Sequence, residues 1–191
     1  RQHSAQDNGR VGPVRTVSHR IAIVMATMAR TAPGLARKEP LMRITWLGHS
    51  GFRIQIEGAI LLVDPWLTGN PLFPVGREDE AISGATHILL THAHGDHAAD
   101  AARLARKLGI KVHCIHELSE WMGANDLCET LGFGKGGTLN LNGAKVTMVN
   151  AVHSSSIDFG AKGLLPAGDA AGFMIAGEGH VIYLSGDTDI M

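Results

Sequence analysis

The sequence predicts an α/β (α+β) protein built on mixed β-sheets, and two kinds of pattern lead to that prediction. Short apolar segments of strand length recur through residues 43–188, and several of them alternate apolar with polar side chains. Between them lie segments whose apolar residues recur at helical spacing. Hydrophobic residues make up 45% of the 191-residue chain and charged residues 18%, which is typical of a folded protein.

The first predicted elements are strands. Residues 42–58 read as two short strands separated by "GHSG", because apolar residues alternate on both sides of that turn signal. The segment "AILLVDP" (residues 59–65) predicts a buried strand that ends at its proline. Residues 66–79, "WLTGNPLFPVGRED", are rich in Pro and Gly and predict a loop. A second buried strand, "THILLT", follows at residues 86–91.

The spacing of apolar residues then changes from one typical of strands to one typical of helices. From His97 onward an apolar stripe recurs at i, i+3 and i+4, and Gly109 is a typical helix end. Residues 111–116 predict another strand and residues 117–126 another helix. The stripe consists of Ala98, Ala101, Ala102, Leu104, Ala105 and Leu108.

Two hairpins complete the predicted elements. Residues 138–151 contain Asn142-Gly143, the signal of a type I′ turn between two strands. Residues 171–188 form the second hairpin, with its turn at 177–179. Strands interspersed with helices in this order predict mixed sheets in one α/β domain.

The segment "ILLTHAHGDHAAD" (residues 88–100) crowds metal-ligand residue types together. His92 and His94 continue out of a strand, where residues i and i+2 point the same way. Asp96 and His97 begin the following helix, and Gly95 permits the sharp change of direction. Two pairs of ligands that approach from two directions predict two metal ions a few ångströms apart.

Three motifs in this order resemble the metallo-β-lactamase superfamily. They are "THAHGDH" (residues 91–97), "NAVHSSS" (150–156) and "YLSGDTD" (183–189). The resemblance covers residues 42–191. It implies a four-layer αβ/βα sandwich, two mixed sheets face to face with helices outside, here incomplete at the C-terminus.

The resemblance also implies a ligand set for two zinc ions. His92, His94 and His153 would hold the first ion. Asp96 and His97 would hold the second, and Asp187 would bridge the two. The superfamily pattern has one more histidine on the second ion, after a later strand, and residues 188–191 offer none. The expectation is therefore a domain that lacks its C-terminal part.

A narrower resemblance rests on residues 42–71, "MRITWLGHSGFRI" and "LLVDPWLTGNP" with the residues between them. This stretch resembles small prokaryotic metal-dependent hydrolases and, more distantly, L-ascorbate-6-phosphate lactonases and N-acyl-phosphatidylethanolamine phospholipase D enzymes. In that branch the histidine of "GHS", here His49, lies near the metal site. His49 is either a site residue or a turn histidine bonded to backbone. Asp64 either forms an Asx turn or orients a metal-bound histidine.

The predicted function is a zinc-dependent hydrolase. A metal-bridging hydroxide would attack an ester, lactone or phosphodiester, with Asp96 and His49 as catalytic residues. Di-iron redox members of the superfamily usually carry glutamate where His94 stands, which argues against a redox role. The largest lactamase subgroup lacks a histidine at the position of His97, which disfavours that subgroup. The alternative is an inactive fragment or metal-binding scaffold that lacks the last ligand.

Residues 66–79 have two interpretations. Trp66, Leu72 and Phe73 either form the apolar wall of a substrate pocket or make a small surface cluster. The adjacent serines 154–156 are interpreted as shaping the loop that presents His153. The other histidines are interpreted as structural or tail residues, namely His3, His19, His87, His113, His116 and His180.

Residues 1–41 differ in charge from the rest. They hold seven basic and two acidic residues, a net charge of +5, whereas residues 42–191 hold 10 basic and 16 acidic residues, a net charge of −6. The apolar run at 21–29 resembles a signal-peptide core, but no small-x-small cleavage site leads cleanly into the domain. We predict that residues 1–41 are a disordered or non-native tail, including translated sequence upstream of a start at Met42. Residues 42–191 then form a partial metallo-β-lactamase-like hydrolase domain.

Charge and cysteine content also bear on partners. The whole chain has a formal net charge of −1, so no basic field indicates RNA or DNA as a partner. Cys114 and Cys128 lack C-x-x-C spacing and are predicted to be free thiols of a reducing compartment. We predict a cytoplasmic protein with a small-molecule substrate and no membrane partner. The sequence leaves the oligomeric state open, and a homo-oligomer is possible.

Overall fold

The computed structural model describes residues 23–27, 42–125 and 128–190 of the chain. The strands are β1 (Ile23–Thr27), β2 (Arg43–Trp46), β3 (Phe52–Ile56), β4 (Ala59–Val63), β5 (His87–Leu89), β6 (Val112–Ile115), β7 (Thr130–Phe133), β8 (Thr138–Leu141), β9 (Ala144–Asn150), β10 (Ser156–Asp158), β11 (Leu164–Pro166), β12 (Ala171–Gly177) and β13 (His180–Leu184). The helices are α1 (Glu78–Ile82), α2 (Gly95–Ala98), α3 (Ala101–Leu108) and α4 (His116–Ala124), with a 3₁₀ turn at Gly160–Lys162.

One sheet has six strands in the order β2-β3-β4-β5-β6-β7. Its first three strands pair antiparallel, and β4 to β7 pair parallel. The parallel pairing of β4 with β5 puts the carboxyl ends of both strands at one edge of the sheet. Asp64 directly follows β4, and Thr91 lies two residues beyond β5 and donates its N–H to Asp64, so the "HAHGDH" segment starts beside Asp64.

The second large sheet is antiparallel throughout, in the order β1-β13-β12-β9-β8. Buried side chains of both sheets belong to one core, for example Ile54 and Leu61 from the first sheet and Met148 and Phe173 from the second. Helices α3 and α4 pack on β6 and β7 of the first sheet. This confirms the predicted α/β class, with a mixed first sheet and an antiparallel second sheet.

Three two-residue turns meet at the end of the sheets opposite the carboxyl ends of β4 and β5. Asn142 and Gly143 have φ angles of 51° and 99°, which confirms the predicted turn between β8 and β9. The backbone N–H of Glu57, in the β3–β4 turn, donates to Oε1 of Glu178, in the β12–β13 turn, at 2.8 Å. The N–H of Glu178 donates back to Oε1 of Glu57 at 2.6 Å. We call this reciprocal pair the turn clamp, since it ties the two sheets together.

The structure differs from the sequence prediction in several local elements. The helix predicted from His97 is two helices, α2 and α3, separated around Asp100, whose carboxylate accepts hydrogen bonds from the backbone of residues 67–68. The end of the predicted loop 66–79 begins helix α1. His116, predicted in a strand, begins helix α4. Strands β7, β10 and β11 were not predicted, because each has only three or four residues, too few to show a clear alternation of apolar and polar side chains.

Strand β1 lies within the segment predicted as a disordered or non-native tail. It pairs antiparallel with β13, from Ile23 opposite Leu184 to Thr27 opposite His180. For these five residues the structure differs from the expectation of disorder, because β13 offers them an unpaired backbone edge. The remaining residues of 1–41 lie outside the described residues, and the boundary at Met42 stays a prediction.

Both cysteines are free, as predicted, and Cys114 is buried. Burial raises the pKa of the Cys114 thiol to about 12, so it stays protonated at neutral pH. Among the described helices, none has the length and apolar character needed to cross a membrane.

Candidate metal centre

Three histidines come together where the chain leaves β5. The Nε2 atom of His92 lies 3.1 Å from Nδ1 of His94, as the i, i+2 spacing predicts. The ring of His153 arrives from the loop after β9, with its centroid 5.1 Å from that of His92 and 5.2 Å from that of His94. One ligand atom from each of the three residues lies within 4.8 Å of the other two.

A second group forms beside the first. His49, Asp96 and His97 also offer one ligand atom each within 4.8 Å of one another. The Nε2 atom of His49 lies 3.4 Å from Oδ2 of Asp96. The sequence brought Asp96 and His97 together by spacing, whereas His49 comes from the turn between β2 and β3.

Asp187 stands between the two groups. Its Oδ1 lies 3.4 Å from Nε2 of His97, and its Oδ2 lies 3.7 Å from Nε2 of His153. His92, His97 and Asp187 make a third group within 4.8 Å. Each oxygen of Asp187 therefore faces a different group, which is the placement expected of a bridging carboxylate.

Asp64 orients two of the histidines. It is 1% exposed, and its carboxylate accepts hydrogen bonds from the backbone N–H of Thr91 at 2.8 Å and from the Thr91 hydroxyl at 2.7 Å. Nδ1 of His97 lies 2.9 Å from Oδ2 of Asp64, and since a carboxylate only accepts, this nitrogen donates. Nδ1 of His92 in turn donates to the Thr91 hydroxyl at 3.0 Å. Both histidines thus use Nδ1 as a donor, which leaves Nε2 turned toward the cluster as the atom that can bind a cation.

The electrostatics of the cluster favour a cation. Burial, with the neighbouring His97, lowers the pKa of His92 to about 4, so its imidazole is neutral at pH 7. Burial and then His153 also lower the pKa of His94. Burial would lower the pKa of His97 too, but Asp64 and Asp187 outweigh it and raise the pKa to about 10. The position of His97 Nε2 therefore attracts positive charge, whether a proton or a metal ion.

The residues fit a divalent metal. Nε2 of His97 is buried, and its contact with Oδ1 of Asp187, at 3.4 Å, is longer than a well-formed hydrogen bond. Such a spacing is unfavourable unless a cation binds between the two groups. The donors are imidazole nitrogens and carboxylate oxygens, with no thiolate in the three groups. Such a set suits zinc and other first-row divalent ions.

The loop after β4 borders the centre on one side. The Trp66 ring meets the His49 ring edge-on, with centroids 5.4 Å apart. Asp100 holds the start of this loop through the N–H groups of Leu67 at 2.8 Å and Thr68 at 2.6 Å. Of the predicted wall residues, Trp66 reaches the centre, while Leu72 is 57% exposed and Phe73 packs on the core.

The open alternatives for the remaining residues can be compared with the structure. Asp64 has the geometry of a residue that orients an imidazole, because its carboxylate contacts Nδ1 of His97. The backbone carbonyl of His49 accepts a hydrogen bond from the indole of Trp46 at 2.8 Å. Ser155 Oγ accepts from the N–H of Ala93 at 3.3 Å, in keeping with a loop-shaping serine. His87 and the buried His113 form a pair, with Nδ1 of His87 3.1 Å from Nε2 of His113.

Sequence reasoning missed Thr91. This residue precedes the first histidine and joins His92 to Asp64. The only available signal was its place at the start of "THAHGDH", and a threonine at a strand end is too common to identify a role.

The geometry defines the class of site: a histidine–carboxylate metal centre at the carboxyl edge of parallel strands in a two-sheet α/β fold. A family model described as "Beta-lactamase superfamily domain" matches residues 60–191. The chain belongs to the β-lactamase superfamily.

Relatives and solved structures agree with that family. Over 150 residues the chain is 63% identical to a protein of Cereibacter sphaeroides named UPF0173 metal-dependent hydrolase, which covers 78% of this chain and 65% of that relative. The chain thus spans about 65% of the length of the relatives it matches. Igni18, described as a metallo hydrolase from the archaeon Ignicoccus hospitalis, has a TM-score of 0.67 and 29% identity over 78% of this chain and 62% of that chain.

The fold occurs with more than one metal chemistry. CmlA, a diiron β-hydroxylase from Streptomyces venezuelae, has a TM-score of 0.58 and 19% identity, covering 78% of this chain and 30% of that chain. This similarity shows the fold alone. The reaction of the present chain must therefore be argued from its own side chains.

Proposed function

We propose that this chain is a metal-dependent hydrolase whose centre holds two zinc ions. One observation carries the proposal: three metal-capable groups overlap, with His92 and His97 each belonging to two of them. Overlapping groups are what two neighbouring ions require, whereas a single ion needs one group. The relatives are named metal-dependent hydrolases, which supports the proposed class of reaction.

The ligands divide between the two ions as the sequence resemblance implies. His92, His94 and His153 would hold the first ion, and Asp96 with His97 would hold the second. Asp187 would bridge them, because its two oxygens face His97 and His153 separately. Zinc suits these nitrogen and oxygen donors, although other divalent ions share the preference.

The proposed reaction is hydrolysis of an ester, lactone or phosphodiester by hydroxide. Bound zinc ions supply Lewis acidity and lower the pKa of a water from 15.7 to about 7. Asp96 has a side chain 41% exposed, so it can meet a substrate, take a proton from water and pass it to the leaving group. Asp64 and Thr91 keep the imidazoles of His97 and His92 in the ligand tautomer throughout.

The partners follow from the same features. Residues 42–191 carry a net charge of −6, which disfavours nucleic acid as a substrate. A small molecule that reaches the exposed carboxylate of Asp96 is the proposed substrate, and the proposed location is the cytoplasm. His94 at the second motif position favours hydrolysis over di-iron redox chemistry, by the resemblance described above.

The test combines metal content with turnover. Zinc, iron and manganese are measured per chain by elemental analysis for the wild type, for His92→Ala and Asp187→Ala, and for the control variant His180→Ala at the start of β13. We expect close to two zinc ions in the wild type and in His180→Ala, and loss of metal in the two site variants.

Turnover separates an enzyme from a metal-binding scaffold. The same four proteins are assayed with a generic phosphodiester, an aryl ester and a lactone. Hydrolysis that disappears with the metal supports the proposal. Two bound ions without turnover of any substrate class would favour the scaffold, and turnover by metal-free protein would refute the mechanism.

A further inference from the structure

His49 adopts a strained backbone conformation at the metal centre. Five non-glycine residues among those described have positive φ, and three of them, Glu57, Asn142 and Glu178, begin two-residue hairpin turns that demand it. The other two are His49, with φ 49°, and Asp64, with φ 45°. Neither occupies a hairpin turn of that kind, and both lie against the metal-capable groups. Strain of this sort persists where surrounding contacts hold it and is typical of functional sites.

Contacts on both sides fix the direction of the His49 ring. The indole N–H of Trp46 holds the His49 carbonyl at 2.8 Å, and the turn closes through the Leu47 N–H to Gly51 carbonyl bond at 2.8 Å. The imidazole packs edge-on against Trp66 and against His97, with ring centroids 5.4 and 5.5 Å away. The turn therefore aims the ring at the second group instead of at solvent.

The separations at His49 match those between ligands of one ion. Two donors at about 2.1 Å from a tetrahedral zinc ion stand about 3.4 Å apart. Nε2 of His49 is 3.4 Å from Oδ2 of Asp96, and Nε2 of His97 is 3.4 Å from Oδ1 of Asp187. A hydrogen bond from imidazole to carboxylate is shorter, as the 2.9 Å contact of His97 with Asp64 shows in the same cluster.

We infer that His49 is a protein ligand of the second ion, together with Asp96 and His97. The inference rests on the proposed function and goes beyond the ligand set that the sequence resemblance implies, in which the second ion takes a histidine from a later strand. With Asp96, His97 and Asp187, His49 makes four protein donors for the second ion, from three different segments of the described chain.

The test is a cobalt titration of the 191-residue chain by equilibrium dialysis. In His49→Gly the positive φ is tolerated, so the imidazole is removed without backbone strain. We expect the first ion to bind as in the wild type and the second to bind at least tenfold more weakly. The matched control is Glu178→Gly, which changes another positive-φ residue far from the cluster and should leave both affinities unchanged.

Imidazole rescue distinguishes a ligand from a packing residue. Added imidazole should restore binding of the second cobalt ion to His49→Gly, with the visible spectrum of the wild type. The variant His49→Phe keeps the ring contacts with Trp66 and His97 but has no nitrogen, so it should lose the second ion and resist rescue.

The outcomes separate this inference from the proposed function. If the second ion binds His49→Gly and His49→Phe within twofold of the wild type, His49 is no ligand and the dinuclear hydrolase still stands. One ion in the wild type overturns the inference and the two-ion centre of the proposed function, and no ion in the wild type overturns the proposed metal-dependent function altogether.

Discussion

Replacing Asp64 by Asn tests the idea that a buried carboxylate sets the ligand tautomers of the centre. The two side chains have the same shape, and Asn tolerates the positive φ found at Asp64. The carboxylate accepts three hydrogen bonds of 2.7 to 2.9 Å, two from Thr91 and one from His97. In Asp64→Asn one acceptor oxygen becomes an NH₂ group, which is a donor. The backbone N–H of Thr91 can only donate, so the amide oxygen takes the Oδ1 position and the NH₂ group the Oδ2 position. The Nδ1 atom of His97 then faces a donor and must give up its proton.

The structure sets the size of the effect. With Nδ1 unprotonated, a neutral His97 carries its proton on Nε2, the atom that faces the metal groups. Loss of an orienting partner typically weakens metal affinity by about 10- to 100-fold, or about 1.4 to 2.7 kcal/mol. Hydrogen bonds to charged groups are worth about 1.5 to 3 kcal/mol each, so the metal-free protein should lose about 3 kcal/mol of stability.

Metal affinity is measured by competition with a chelating dye, and stability by urea unfolding without metal. The control is Asp100→Asn, because Asp100 is another buried carboxylate that accepts backbone N–H groups but lies outside the metal-capable groups. It should lose stability and keep metal affinity. An Asp64→Asn protein that binds both ions as tightly as the wild type would refute the tautomer argument.

Three further predictions concern stability and the site. Burial and the adjacent His87 lower the pKa of His113 to about 4, so its neutral form stabilises the fold above about pH 6.5. About 3 kcal/mol of the free energy of unfolding is lost as pH falls toward 4, because the unfolded state then binds a proton that the folded state does not. His113→Gln should flatten that part of the stability–pH curve in urea unfolding. Gly186→Ala places a Cβ 2.7 Å from the Thr91 side chain at a φ of 59°, so it should reduce metal content more than tenfold, unlike an alanine at an exposed glycine. Glu178→Ala removes one half of the turn clamp and should cost about 2 kcal/mol in the same unfolding assay without changing metal content.

The sequence was most informative where spacing alone orients side chains. His92 and His94 point together because a strand repeats every two residues, and the type I′ turn at Asn142-Gly143 follows from local backbone preference. Helix α3 ends at Gly109 in the left-handed conformation, as its sequence indicates. The break before α3 was not predictable, because it depends on Asp100 binding a loop more than 30 residues earlier in the chain.

By itself, the sequence determined the α/β class, the free cysteines and the cluster of metal-ligand residues, since each depends on composition or on neighbours within a few positions. Only the tertiary structure decided which of two readings holds for Asp64 and what surrounds His49. Asp64 meets Thr91 and His97 because β4 pairs parallel with β5, and His49 faces Asp96 because the β2–β3 turn closes over the same edge. Such contacts join residues more than 25 positions apart, and no local preference encodes them, because sheet order and pairing direction are properties of the whole folded chain.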